Sequence, residues 1–328
     1  MNLTRPILEG KMVRAAGVRL WAILFAASAG AQSAALGPAA GPRPTVAELF
    51  AGEVDDVGPQ YLLQAKPPVR RLEAWVDWEL TGMDNVTLAP THPTASTLLA
   101  AQAGLNWRVK EFEWRGGRLT WEVGTRAQAY RYGLLANANH PVNFIEIDRN
   151  NFDLGAAHST ITWQRDGWLA AGGLRGAALR SRSTGRQFYR EVDLDWQLLR
   201  QWTLRQDTLL AAGLDGARRW THTNSFGLLP GSWNDRAELA LVTTFEQRLG
   251  AVWRLQPSVR LQGTHYTHAD RGRNDRHIFA RLTLLRALGA HSEARLSLGH
   301  EQRESSDPTI NDYKKWDLAL GGSLRWQF

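Results

Sequence analysis

Residues 313–328 constrain the chain most. Trp316, Leu318, Leu320, Leu324, Trp326 and Phe328 fall on one face of an extended segment, and Asp317, Ser323, Arg325 and Gln327 on the other. A period of two is the mark of a β-strand. The same period recurs from Arg71 onward with no helical stretch between. Leu72, Ala74, Val76, Trp78 and Leu80 alternate with Glu73, Trp75, Asp77, Glu79 and Thr81. Phe188, Val192, Leu194, Trp196 and Leu198 alternate with Glu191, Asp193, Asp195 and Gln197. Alternation cancels in the average, so a mean hydropathy of -0.36 does not argue for a soluble chain. No later apolar run is long enough to span a bilayer as a helix. If this chain crosses a membrane, it does so as a closed barrel, because only closure pairs every backbone group.

The joints between strands alternate in length. Those near 113–117, 166–167, 199–201, 249–256 and 286–292 are mostly short, and Asp166-Gly167 is a tight hairpin dipeptide. Those near 82–94, 133–150, 181–186, 215–235, 271–275 and 304–312 are generally longer and more polar. Short turns at one end and long loops at the other describe a transmembrane barrel. The expected fold is all-β: a closed antiparallel transmembrane barrel of about twelve strands over residues 71–328, with periplasmic turns and extracellular loops. The chain holds 15 Trp. Trp163, Trp168, Trp196, Trp202 and Trp326 are expected at the periplasmic rim as an aromatic girdle.

The first residues read as an export signal. Arg14 and Arg19 precede the apolar run Leu20 to Ala27, and Ala29-Gly30-Ala31 fits a cleavage site before Gln32. Residues 1–31 are therefore expected to be removed. Residues 32–70 begin rich in Ala, Gly and Pro and carry the acidic cluster Glu53, Asp55 and Asp56 before Gly58-Pro59, which reads as a periplasmic linker or extension, or as a plug tucked into the barrel mouth. Export argues against nucleic-acid binding despite the formal charge of +7. The chain has no Cys, which excludes disulfides, thiolate metal sites and a Cys nucleophile. No cofactor or metal is expected.

By these residues the chain resembles bacterial outer-membrane β-barrel proteins. The aromatic ending at Trp326 and Phe328 resembles the signal read by the barrel-assembly machinery. More locally, Met83-Asp84-Asn85-Val86-Thr87-Leu88-Ala89-Pro90 is similar to a motif after the first strand in barrel domains of surface-lipoprotein assembly modulators and polysaccharide-secretion proteins. Ser305-Ser306-Asp307-Pro308-Thr309-Ile310 with Tyr313 resembles their final outer loop. Those relatives usually carry tetratricopeptide helices before the barrel, for which residues 32–70 are too few. The resemblance implies a bacterial outer-membrane location and contact with its lipid and lipopolysaccharide.

The inward charges are mixed. Glu73, Asp77, Glu79, Arg108, Lys110, Glu122, Arg126, Asp193, Asp195, Arg260, Arg281, Arg295 and Arg325 are expected to line the lumen. They would either pair across strands or set a field for a polar solute. Arg180, Arg182, Arg186, Arg218, Arg219, Arg271 and Arg273 are expected at the outer rim, facing lipopolysaccharide phosphates. Enzymatic readings are thin. His158 and Ser159 adjoin as an outer-membrane lipase would need of a base and nucleophile, but neighbours on a strand point opposite ways. His265, His268 and Asp270 near an outer loop carry little spacing information for a protease, and the two His would not share a face as metal ligands. The leading expectation is a non-enzymatic pore or facilitator for small hydrophilic solutes. The alternative is a closed structural or export-associated barrel that binds a periplasmic partner through residues 32–70.

Overall fold

The computed structural model describes residues 71–85, 95–133, 151–223, 232–268, 272–308, 310 and 312–328. The signal at 1–31, the extension at 32–70, Arg271, Asp270, Thr309 and residues 86–90 of the first-loop motif lie outside them. Twelve strands follow one another: β1 (Leu72–Met83), β2 (Ser96–Trp114), β3 (Gly117–Tyr132), β4 (Phe152–Arg165), β5 (Trp168–Ser181), β6 (Gln187–Arg205), β7 (Thr208–Thr223), β8 (Arg236–Arg248), β9 (Trp253–Tyr266), β10 (Asn274–Ala287), β11 (Ser292–Ser305) and β12 (Tyr313–Gln327). Each pairs antiparallel with the next, and β1 closes onto β12. The seam is zipped at its base by the main chain of Phe328, whose carbonyl accepts from Arg71 at 2.9 Å and whose N–H donates to Leu72 at 2.8 Å.

Closure leaves no core between layers, so the period of two sorts side chains between outside and lumen. Leu105, Ile161, Leu194, Leu239, Leu298 and Leu318 are all exposed on the outer surface. A continuous apolar exterior of this kind is stable only against lipid.

The turns at one end are tight. Arg115-Gly116 has φ of 51° and 72°, and Asp166-Gly167 has 47° and 81°. Two successive positive φ angles give the turn whose twist matches a hairpin. A Cβ on Gly167 would also lie 2.6 Å from the Gln201 carbonyl oxygen. Gly167→Ala is expected to cost about 1 kcal/mol or more, read as a lower urea midpoint for the folded, heat-modifiable band.

The joint expected at 249–256 is shorter, since β9 begins at Trp253, and two other boundaries differ more. The short joint expected at 199–201 is the two-residue turn 206–207, and Trp202 and Leu204 continue β6. The loop expected from 215 begins only after Thr223, because β7 carries Arg218 and Arg219 within it. Apolar-polar alternation is weak across both stretches, so sequence had no phase break to mark the ends.

Candidate functional site

The lumen wall is the candidate site, and register builds it. The inward row Glu73, Asp77 and Glu79 on β1 faces Asn106, Gln102 and Ala100 on β2, and Gln327, Ser323 and Gly321 on β12. Arg108 and Glu122 pair across β2 and β3, and Arg126 stands on β3. Asp193 and Asp195 stand on β6, Arg260 on β9, Arg281 on β10, Arg295 on β11 and Arg325 on β12. All of these expected lumen residues occupy inner positions.

Lys110 does not. A bulge between Arg108 and Lys110 inserts one residue into β2, so Lys110 pairs with outward Trp121. Its ammonium lies 5.4 Å from the Phe112 ring centre, on the outer face near the short-turn end. There its flexible stem can reach water. Glu111 takes the lumen position and meets Arg108 at 3.1 Å and Arg118 at 3.6 Å.

The charges pair around the wall rather than across it. Arg295 grips Asp77 through both terminal nitrogens, at 2.5 and 2.7 Å, and reaches Glu79 at 3.2 Å. It crosses β12 to do so. The crossing needs Gly321, where a Cβ would sit 2.9 Å from Arg295 Nε and 2.6 Å from the Trp78 carbonyl oxygen. Arg281 passes two strands to reach Glu79 at 3.6 Å and meets Asp317 at 3.5 Å. Arg260 pairs with Asp215, and Arg254 with Glu293.

A second group lies higher, toward the long loops. Asp193 has no exposed surface and accepts from Arg175 Nε at 2.7 Å and Arg219 Nη1 at 3.0 Å. Arg219 also meets Glu238 at 3.0 Å, and Arg236 meets Glu238 at 2.7 Å. Lys315 pairs with Glu301 at 2.6 Å, and Tyr313 donates to Glu301. Beside these charges an apolar cluster of Met83, Leu98, Tyr130, Tyr132, Phe152, Leu179 and Tyr189 is also buried. The inner wall is thus largely buried toward the long loops, whereas Glu111, Glu113 and Arg118 at the short-turn end are exposed.

Two expected outer-rim cations belong to this buried half. Arg219 is 4% exposed inside β7. Arg273 is 1% exposed, paired with Asp275, its guanidinium carbon 4.0 Å from the Tyr266 ring centre. Both fall beside carboxylates that hold them inward, which a run of Arg in sequence does not reveal. Arg180, Arg182 and Arg186 are exposed, and Arg218 is partly so beside Trp220.

Of the expected girdle, Trp163, Trp168, Trp202 and Trp326 stand near the short-turn end. Trp196 does not: the longer β6 puts it mid-strand, its ring 2.7 Å from where a Cβ on Gly216 would be. His158 faces the lumen and Ser159 faces out, accepting from the Trp121 indole at 3.0 Å, so the two do not meet. His265 pairs with Asn274 at 2.8 Å, and His268 lies 3.3 Å from Asp235.

No protein-family model matches the chain. No curated protein matches it either. Solved structures do match. An outer-membrane channel from Pseudomonas putida F1 is 13% identical, with a TM-score of 0.52, over 79% of this chain and 96% of that one. The fold is that of an outer-membrane β-barrel. The β domain of a Bordetella autotransporter (14% identity, TM-score 0.46, 79% and 100% covered) and a bacterial polysaccharide outer-membrane secretin (11%, 0.45, 79% and 99%) are more distant. A lipid-facing exterior on this fold agrees with the expected location, the bacterial outer membrane.

Proposed function

We propose that the barrel is a pore or facilitator for small hydrophilic solutes. One observation carries this: charged side chains stand on the inner wall both at the short-turn end and toward the long loops, and their ion pairs join strands around the circumference. A barrel built only to be filled would gain more from an apolar interior, because buried ion pairs contribute little net stability. The buried side chains toward the long loops favour a small cargo over a large one.

Planar-bilayer recording of the purified full chain tests this. Resolved conductance steps are expected. A correctly folded protein that gives none overturns the reading.

That same buried half supports a second reading, a closed export-associated barrel whose partner docks on residues 32–70. Deleting that segment would then abolish capture of a periplasmic protein while leaving assembly intact. Capture that survives the deletion would retire it. The exposed Arg180, Arg182, Arg186 and Arg218 support contact with outer-leaflet phosphates under either reading.

A further inference from the structure

Trp75 is the one tryptophan at an inner strand position among the described residues. Every other strand Trp lies on the outer face, where indole meets lipid or headgroups. Trp75 has no apolar interior to fill in this row. Its inward neighbours are Glu73 and Asp77 on β1, Gly104 on β2 and Arg325 on β12. The ring lies over Gly104, with Cζ2 2.6 Å from where a Cβ would be. It is spread on the wall and half-exposed.

Around the ring stands a set of polar groups with unused capacity. Continuing the row past Gly104 comes Arg126, and past that Ala156. Arg126 has no ion pair or hydrogen bond among the described residues, in a lumen where most other Arg are gripped. One row toward the long loops, Gln102 and Gln128 face each other across β2 and β3. Both side-chain oxygens are buried without a partner. Gln102 spends only its Nε2, on Asp77 at 3.3 Å. One row toward the short turns, Asn106 and His158 converge over Gly124, where a Cβ would lie 2.5 Å from His158 Cε1. The Asn106 oxygen is again buried and unpartnered. Buried polar atoms without partners are uncommon, and three amides on one patch need a common explanation. Gly104 and Gly124 leave room for the Trp75 ring and for Asn106 with His158, so these side chains lie flat on the wall.

We infer that this patch is a binding subsite for a sugar that carries a carboxylate. A flat aromatic face suits the C–H face of a pyranose. Amides that can both donate and accept suit its hydroxyls. A guanidinium with no carboxylate in hydrogen-bond contact suits its carboxylate, through paired N–H···O bonds. The nearby carboxylates do not take that place: Asp77 is held by Arg295 and Gln102, Glu122 stands opposite Arg108, and Glu191, whose charge reaches Arg126, is shared among Arg175, Arg219 and Arg236. This inference rests on the pore reading and names a solute class for it.

Calorimetric titration of the full chain in detergent micelles tests it. The probes are a β-1,4-linked glucuronate trisaccharide and its neutral match, cellotriose. The acidic sugar is expected to bind about tenfold more tightly than the neutral one, the worth of one charge-assisted contact. Trp75→Ala should weaken both about tenfold, and Arg126→Gln should abolish the preference while the neutral sugar binds as before. Heat-modifiable mobility checks folding of each variant, and Arg126→Gln decides alone if Trp75→Ala does not fold. Equal binding of both sugars, binding of neither, or a preference that survives Arg126→Gln overturns the subsite. Bilayer recording on the same preparation keeps the two readings apart. Conductance without sugar binding removes the subsite only, and sugar binding without conductance removes the pore only.

Discussion

Asp193→Ala is expected to be the most damaging single change to the lumen. The carboxylate has no exposed surface and accepts from both Arg175 and Arg219. Its loss leaves Arg219, whose side chain is 5% exposed, leaning on Glu238 and a 3.6 Å contact with Glu191. Removing one partner from a buried charge group costs about 3–5 kcal/mol, because the stranded charges remain desolvated. The urea midpoint of the folded band should fall accordingly. Asp193→Asn keeps the shape and one acceptor oxygen and should lose less. A midpoint unmoved by the alanine change would mean the group is already solvated by water in the bore.

The second large effect is expected at Gly321. A side chain there meets a backbone atom, the Trp78 carbonyl oxygen at 2.6 Å, and the stem of Arg295 at 2.9 Å. Backbone cannot swing aside as a side chain can. Gly321→Val should therefore push β12 off β1 and lift Arg295 from Asp77 and Glu79. Overpacking alone costs about 1–3 kcal/mol, and the released charges add to it. Gly263→Val on β9 is the control, since nothing lies within 4 Å of its added Cβ. Refolding yield into micelles should drop for the first and hold for the second. Equal yields would show that the seam tolerates separation.

Most of the architecture was legible because lipid imposes one strict demand, an apolar residue at every second position. Leu72 to Leu80 obey it throughout, and Trp316 to Phe328 do so except at Gly322, and their faces fall as the alternation requires. Where that demand is relaxed, the reading slipped. Lys110 sits beyond a bulge, and one inserted residue inverts every later assignment until the turn. Trp202 sits below the neighbouring turn of β5, where β6 pairs only with β7, so its surroundings did not enforce a phase. Arg219 and Arg273 looked like rim cations because a linear sequence does not show which carboxylates stand on the adjacent strands. The patch around Trp75 was half visible. Its inward phase was plain from the alternation, but the glycine that lets the ring lie flat comes from β2. Only register joins Gly104 to Trp75 and Gly124 to His158.

The circumferential wiring has a mechanical consequence. A link such as Arg281 to Glu79, passing over β11 and β12, acts as a hoop on a cask. Squashing the cylinder into an oval would stretch some hoops and slacken others, each with a charge to strand. The staves are thereby held round, and any change of calibre has to come from inner side chains swinging off their rests while the wall itself keeps its curvature.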